Sequence, residues 1–286
     1  MIVRALLASA ALIGAAGAAQ ASEVRIKDAV ARVVVIPENR ADIAVEVSGG
    51  GGRLPTLEVR RQGDDVIVDG GLDRRIQNCE SRRDSIMSPA EPTADVRVDV
   101  RGIGEVPLTE APLVTIRTPM DARVRAGGAV WGAVGRTNTL DLGSAGCGDW
   151  TVGNVQQRLS VSIAGSGDVA AGTSGELNVN IAGSGDVRTA ATRSVEANIA
   201  GSGDLHVTSM DGSLDASIAG SGDVRVAGGR ATTVSVAIAG SGDVILDGAA
   251  QSLNANIIGS GDVRVASAGS VTRRVMGSGD VIVGRR

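Results

Sequence analysis

The chain has 286 residues, a formal net charge of −4, 41 glycines, no Tyr or Phe, and two tryptophans, Trp131 and Trp150. This charge provides no basic field of the kind that nucleic-acid binding requires, so we expect no nucleic-acid partner. A core almost free of aromatic rings must be thin and filled by Val, Ile, Leu and Ala. Such a core favours narrow stacked coils over a globular sandwich, which normally buries several rings.

Residues 1–21 are typical of a signal peptide. Arg4 supplies a positive start, residues 5–18 are apolar, and Ala19-Gln20-Ala21 forms a small-x-small cleavage pattern before Ser22. Because Ser22 rather than Cys follows the cleavage pattern, a lipid anchor is not indicated. No later apolar run is long enough to predict a transmembrane segment in the mature chain. We therefore expect an exported bacterial protein that is periplasmic, on the outer surface or secreted.

The region 22–125 reads as an irregular β region that begins the fold or caps it. Seven short apolar or alternating runs predict strands, separated by turn residues such as those at 48–52. The charged segment 71–93, which holds Cys79, is predicted to be a loop. The expected strands are 24–26, 33–36, 43–47, 57–59, 66–68, 96–100 and 113–116.

The two cysteines, Cys79 and Cys147, predict a disulfide, because an exported protein folds in an oxidising compartment. The bridge would close a loop of 68 residues, for which chain-entropy estimates give roughly 4 kcal/mol of stabilisation. The alternative is that the two residues are far apart and that Cys147 replaces a repeat serine.

From about residue 126 to the C-terminus one motif, Ala-Gly-Ser-Gly-Asp-Val, recurs with small variations. Its aspartates are 19, 18, 18, 19, 20, 19 and 18 residues apart. A fixed period of this length predicts a solenoid in which each repeat is one coil. We predict an all-β fold, a right-handed single-stranded β-helix with about 18–20 residues per coil. The repeated aspartates are Asp149 (in a degenerate copy), Asp168, Asp186, Asp204, Asp223, Asp243, Asp262 and Asp280.

Alignment of the coils on these aspartates predicts which side chains face inward. Apolar residues stand nine, seven and five positions before each Asp and alternate with Asn and Ser, which indicates a strand with one buried face. A second short strand is expected directly after each Asp, with Gly-Ser-Gly as the corner. In the last coil Arg273 takes an inward position, and we expect it to cap the open end of the stack.

Eight stacked carboxylates repel one another by about 1–3 kcal/mol per neighbouring pair at an effective dielectric of 20 to 80. Hydrogen bonds from backbone N–H groups of the corner offer one compensation, as is common for Asp in turns. Calcium is the alternative, since the motif resembles half of the calcium β-roll nonapeptide, although the Asp falls one place early. The candidate calcium ligands are Asp168, Asp186, Asp204, Asp223, Asp243, Asp262 and Asp280.

The polar residues of the chain define no catalytic cluster and no cofactor site. His206, the only histidine, falls in the outward column that also holds Arg188 and Arg225, and no second histidine supports a zinc site. The carboxylates repeat with the coil, so no unique acid and base pair stands out. The Asn and Ser columns form an outer face. One interpretation of this face is a flat binding strip, and the other is that its small polar residues only keep the sheet soluble.

The repeated string Ile-Ala-Gly-Ser-Gly-Asp-Val, preceded by an alternating strand, resembles the bacterial GIN head-domain family of autotransporter adhesins. The resemblance implies a right-handed β-helix on an exported protein without a known enzyme activity. The matching segments are 163–169, 181–187, 199–205, 218–224, 238–244, 257–263, 275–281 and the degenerate 145–150.

We therefore predict an exported, non-enzymatic β-helical protein that acts as an adhesin or binds a cell-envelope or surface ligand. Edge-to-edge self-association is a further expectation, because a solenoid ends in strand edges. One alternative is a calcium-binding module of the β-roll type. Another is a polysaccharide-active enzyme, which the scarcity of aromatic platforms for sugar rings makes less favoured.

Overall fold

The computed structural model describes residues 22–50, 52–80 and 96–284, so the predicted signal peptide lies outside the described residues. Two single-turn 3₁₀ helices, Asp73–Arg75 and Leu108–Glu110, are the described helices, and everything else regular is strand. The first eleven strands are β1 (Glu23–Pro37), β2 (Ala44–Ser48), β3 (Glu58–Gln62), β4 (Asp65–Asp69), β5 (Ile76–Glu80), β6 (Arg97–Val100), β7 (Gly104–Pro107), β8 (Leu113–Thr118), β9 (Asp121–Val134), β10 (Thr139–Cys147) and β11 (Trp150–Val152). The others are β12 (Arg158–Gly165), β13 (Val169–Ala171), β14 (Glu176–Gly183), β15 (Val187–Thr192), β16 (Ser194–Gly201), β17 (Leu205–Gly220), β18 (Val224–Val226), β19 (Gly229–Gly240), β20 (Val244–Gly259), β21 (Val263–Gly277) and β22 (Val281–Val283).

The repeat region is a stack of parallel coils, which confirms the predicted β-helix. The strand that precedes each Gly-Ser-Gly-Asp corner pairs in parallel with its equivalent one coil away, for example Leu159 with Leu177 and Ile163 with Ile181. The stack has about nine turns. Equivalent residues therefore form ladders, with Leu, Val and Ile inside and Asn or Ser outside, in the register that the aligned repeats predict.

The corner glycines are required by the closeness of successive coils. Gly183, the first glycine of its corner, has a φ of 144°, which L side chains rarely adopt. A Cβ at this position would lie 2.2 Å from the carbonyl oxygen of Gly165, its equivalent one coil earlier. Any side chain here would push two coils apart, so the glycine column holds the stack at its tight spacing.

The N-terminal region continues the same stack, but out of chain order. Strand β1 pairs in parallel with β9 on one side and with β4 and β8 on the other. Strands β2 and β3 add antiparallel to β8 and β4 and cover this end of the rod. One hydrophobic cluster runs from Val24 to Val265. Strand β9 is continuous across position 125, where the sequence places the boundary between the irregular β region and the β-helix.

A small three-stranded antiparallel sheet, β5-β6-β7, packs on the side of the rod. The core of this side sheet includes Val98, Val106 and Trp131. Trp131 lies on strand β9 of the rod, but its side chain is buried in the core of the side sheet. The prediction of a loop over 71–93 is wrong for residues 73–80, where a 3₁₀ turn leads into β5. The reason is long-range pairing with β6, which a charged local sequence does not indicate.

The disulfide between Cys79 and Cys147 is present, with Cα atoms 6.2 Å apart, so the prediction of this bridge is confirmed. Cys79 lies on β5 of the side sheet and Cys147 lies at the end of β10 in the rod. The bridge therefore ties the side sheet to a coil that is 68 residues away in sequence.

The last described coil is open on its outer side. Arg273 pairs with Ala255 of the preceding coil, as the alignment predicts, and its side chain is exposed. Apolar side chains of the same coil are also exposed, because no further described coil covers them. They are Val271, Val275, Met276 and Val283.

Candidate functional site

The aspartate ladder is held by the backbone of its own coils. The Oδ1 atom of each Asp accepts a hydrogen bond from the backbone N–H of the next Asp along the stack, at 2.8 to 3.0 Å. The residue that follows an Asp donates its N–H to the carbonyl of the next Asp, for example Val169 to Asp186 at 2.8 Å. These bonds connect the coils at the corner, and they show the backbone compensation that was predicted for the carboxylates.

Burial and like charge act on the ladder together. Burial raises the pKa of the Asp149 carboxyl, and the neighbouring Asp168 carboxylate raises it further. Burial also raises the pKa of Asp223, which lies between Asp204 and Asp243. Arg188 offsets part of the charge, since its guanidinium is 3.0 Å from Asp186 and 3.8 Å from Asp168.

The calcium alternative remains a prediction at these residues. Within 22–50, 52–80 and 96–284, His, Cys, Asp and Glu side chains do not gather in groups of three or more that could hold a metal ion. One oxygen of each bridging carboxylate is already used by an N–H donor, so a cation would share the ladder with the backbone.

A long groove follows the outer face of the rod and is the candidate binding site. It has a volume of about 820 Å³ and crosses eight coils, from Arg125 to Ile258, a span of about 34 Å at ~4.8 Å per coil. The sequence predicts a flat strip here, whereas the structure shows a concave surface.

Two columns of side chains line this groove. The residue four positions before each Asp supplies a small apolar side chain, and the residue six positions before supplies a mostly polar one. The apolar column consists of Ala145, Ala164, Ala182, Ala200, Ala219, Ala239 and Ile258. The other column consists of Arg125, Gly143, Ser162, Asn180, Asn198, Ser217, Ala237 and Asn256.

The groove combines an apolar floor with a polar edge that repeats once per coil. Asn198 donates a hydrogen bond to the side-chain oxygen of Asn180 at 3.3 Å, so the amides form part of a ladder. At one end the Arg125 guanidinium is paired with Asp141 and carries little free charge. At the other end Ile258 is 49% exposed, which adds a larger apolar contact. This chemistry suits an extended, largely uncharged chain that repeats its contacts from coil to coil.

His206 stands in register with Arg188 and Arg225 on the outer face, as predicted, and it is half-buried. The described part of the chain contains no helix that is long and apolar enough to cross a membrane.

The fold and the groove define a parallel β-solenoid of the kind that presents a continuous binding face along its length. The family described as "Putative auto-transporter adhesin, head GIN domain" matches residues 16–229 and 212–285, so the chain belongs to this family. This membership agrees with the resemblance of the repeated motif.

The chain is similar to the crystal structure of a "putative adhesin" from Parabacteroides distasonis ATCC 8503, with 16% identity, 92% of each chain covered and a TM-score of 0.47. No curated protein matches the chain.

Proposed function

We propose that this chain is an exported, non-enzymatic binding protein of the cell envelope or cell surface that acts as an adhesin. The observation that carries the proposal is the groove of about 820 Å³, which runs across eight coils without a charged or catalytic cluster. Membership in an adhesin family supports the same function. The rod is a rigid scaffold, and the groove is the part that contacts an extended partner.

Binding through the groove is tested with the purified protein, fluorescently labelled, on intact Gram-negative cells and on isolated envelope fractions. The double variant Ala182→Arg and Ala200→Arg fills the centre of the groove with long charged side chains. Ala227→Arg, at an exposed position outside the groove, is the matched control. We expect saturable binding by the parent, a loss of at least about tenfold (~1.4 kcal/mol) in the double variant, and parental binding in the control. Equal binding by all three proteins would contradict the proposal.

Export and the absence of enzymatic activity are tested separately. Fractionation of cells that express the full chain is expected to find the protein outside the cytoplasm. A variant that lacks residues 2–21 is expected to remain in the cytoplasm. Incubation with envelope polysaccharides is expected to release no reducing ends. Cytoplasmic retention of the full chain, or cleavage of any of these polysaccharides, would refute the corresponding part of the proposal.

A further inference from the structure

A second cavity lies on a different face of the rod, at the corner that closes each coil before the next long strand. It has a volume of about 680 Å³ and spans four coils, which is about 14 Å between the first and the last at ~4.8 Å per coil. Its walls come from the positions five to seven residues after Asp168, Asp186, Asp204 and Asp223. These positions vary in sequence from repeat to repeat, so the cavity is confined to these four coils.

Two arginines at this cavity have no ion-pair partner. Of the eight arginines between Asp149 and Asp280, four lie 2.5 to 3.9 Å from an Asp or Glu oxygen. The other four make no ion pair or side-chain hydrogen bond within the described residues. Arg273 and Arg274 belong to the uncovered last coil, whereas Arg193 and Arg230 both line this cavity. Two guanidiniums and one carboxylate, Asp211, line this cavity, so its formal charge is positive. This charge favours an anionic ligand, because Arg binds carboxylate, sulfate and phosphate groups with two parallel donors.

The Arg193 side chain lies over the backbone of the preceding coil. One terminal nitrogen of its guanidinium would lie 3.1 Å from a Cβ built on Gly175, so the group rests over this glycine in the preceding coil. The place of Arg193 in its own coil is held by a hydrogen bond from its backbone N–H to the carbonyl of Gly175 at 3.1 Å. Gly175 therefore leaves open the surface on which the guanidinium lies.

The remaining lining residues include four with a hydroxyl group, three without a polar side chain and one carboxylate. They are Thr173, Ser174, Thr192 and Ser209, then Ala191, Met210 and Gly229, and Asp211. Ser174 and Thr192 are buried, and the Ser174 hydroxyl donates to that of Thr192 at 3.1 Å. Asp211 pairs in register with Arg230 in the adjacent coil, and no ion pair within 4 Å joins them in the described structure. The cavity thus offers cationic donors on two sides, an anionic acceptor between them and hydroxyls beside them.

We propose that this cavity binds an acidic oligosaccharide, with Arg193 and Arg230 contacting its acidic groups and Asp211 accepting hydrogen bonds from its hydroxyls. A sugar chain matches the lining, because it carries hydroxyl donors that satisfy a carboxylate along with the acidic groups that satisfy the arginines. A single inorganic oxyanion fills only a small part of about 680 Å³ and brings no donor for Asp211. The site is separate from the groove and does not depend on the function proposed for it.

The test is calorimetric titration of the purified protein with trigalacturonate, with the neutral maltotriose, and with inorganic sulfate. We expect trigalacturonate to bind at least about tenfold more tightly than either comparison ligand, and its binding to weaken as salt is added. Absence of trigalacturonate binding, or equal binding of the neutral trisaccharide, would overturn the proposal. Sulfate binding as tight as that of trigalacturonate would also overturn it, because the site would then recognise an oxyanion without a sugar.

Three exposed substitutions locate the site. Arg193→Gln and Arg230→Gln are each expected to weaken trigalacturonate binding at least about tenfold. Arg225→Gln, which removes a guanidinium paired with Asp247 outside the cavity, is the matched control and is expected to stay within about twofold of the parent. Each variant is first checked for parental circular dichroism. An equal loss in the control variant, or no loss in either cavity variant, would contradict the assignment.

Asp211→Asn separates the two parts of the recognition. Removal of this carboxylate is expected to tighten sulfate binding, since a repulsive charge is lost, and to weaken trigalacturonate binding, since a strong hydroxyl acceptor is lost. Tighter binding of both ligands would show that Asp211 accepts nothing from the sugar, which would refute its role.

Discussion

At the scale of single residues, Asp223 shows how a column of carboxylates is accommodated. Its Oδ1 atom accepts a 2.8 Å hydrogen bond from the backbone N–H of Asp243, and its own N–H donates to Asp204 at 2.8 Å. The gain is a satisfied N–H at a corner where ordinary strand pairing stops, and the cost is repulsion between neighbouring carboxylates. The two contributions can be separated by substitution.

Asp223→Ala is expected to destabilise the protein by about 1–3 kcal/mol, because the N–H of Asp243 loses its acceptor. Asp223→Asn keeps an oxygen at the same place and removes the charge, so we expect it to be at least as stable as the parent at neutral pH. Urea unfolding followed by circular dichroism measures both variants. If the Asn and Ala variants lost the same stability, the side chain would matter for its charge and not as an acceptor.

The raised pKa values of Asp149 and Asp223 predict a stability gain on mild acidification. A group whose pKa is higher in the folded state than in the unfolded state binds protons more tightly when folded. Its contribution is therefore fully present below the unfolded value of 3.8 and is lost as the pH rises through the folded value. Asp69 acts in the opposite sense, because a hydrogen bond from Lys27 lowers its pKa, and its contribution is lost only as the pH falls below 3.8.

Melting temperatures between pH 7 and pH 4 check this prediction. The parent is expected to gain stability towards pH 4, and the double variant Asp149→Asn and Asp223→Asn is expected to show a smaller gain. A melting temperature that falls steadily from pH 7 to pH 4, in both proteins alike, would contradict the assigned pKa shifts.

The corner glycine leads to a third prediction at the scale of single residues. Gly201→Ala places a Cβ 2.2 Å from the carbonyl oxygen of Gly183 and forces an L residue into a φ of 138°. We expect a loss of at least about 2 kcal/mol. Gly228→Ala is the control, because its nearest neighbouring atom is 4.0 Å away, and it is expected to be neutral or slightly stabilising. Comparable melting temperatures for the two variants would show that the coils can move apart at little cost.

At the scale of elements, the disulfide secures the side sheet rather than the rod. Strands β5 to β7 form a small core of their own around Val98 and Trp131, whereas each interior coil of the rod packs against a coil on both sides. The bridge between Cys79 and Cys147 is therefore the covalent link that holds the smaller element in place. Removal of the bridge is therefore expected to destabilise the side sheet before the rod.

The double variant Cys79→Ser and Cys147→Ser is expected to lose roughly 4 kcal/mol in the stability of the segment that the bridge closes. Hydrogen exchange is expected to rise in β5, β6 and β7, with the protection of β14 to β20 unchanged. The parent under reducing conditions serves as the matched comparison. A uniform increase in exchange along the whole rod would show that the bridge stabilises the solenoid itself.

The elements also differ in how well the sequence predicts them. In the repeats the inward columns and the coil register follow from the fixed spacing, because every coil repeats the same alternation. In the N-terminal region the sequence predicts two strands at 24–26 and 33–36, whereas β1 is continuous across Asp28, which adopts a φ of 51°. The insertion of β1 between β8 and β9 depends on pairing between distant segments, and local pattern does not encode it.

The candidate sites were also predicted only in part from the sequence. The Asn and Ser column of the groove is predicted to lie on the outer face, whereas the alanine column and the concave shape are not predicted. The cavity that holds Arg193 and Arg230 was not predicted, because these two residues are 37 positions apart in the sequence. Only the stack brings them to one cavity, and only the structure shows that they lack acidic partners.

At the scale of the whole molecule, identical coils turn each feature of one repeat into a feature of the entire rod. A hydrophobic column becomes a continuous core, an Asn or Ser position becomes the edge of a groove, and one Asp per coil becomes a ladder. The stack holds itself together when every corner N–H finds an acceptor within the protein. We therefore expect the stability of the rod not to depend on a bound ion.

Calcium dependence tests this claim most directly. The melting temperature of the purified protein is measured in excess calcium and again in excess chelator, with magnesium as the matched divalent control. The hydrogen-bonded ladder predicts melting temperatures that agree within about 2 °C under all three conditions, since a ligand raises stability only when it binds the folded state. A calcium-specific rise of more than about 5 °C, abolished by chelator, would show that the aspartates bind calcium and that the rod requires it.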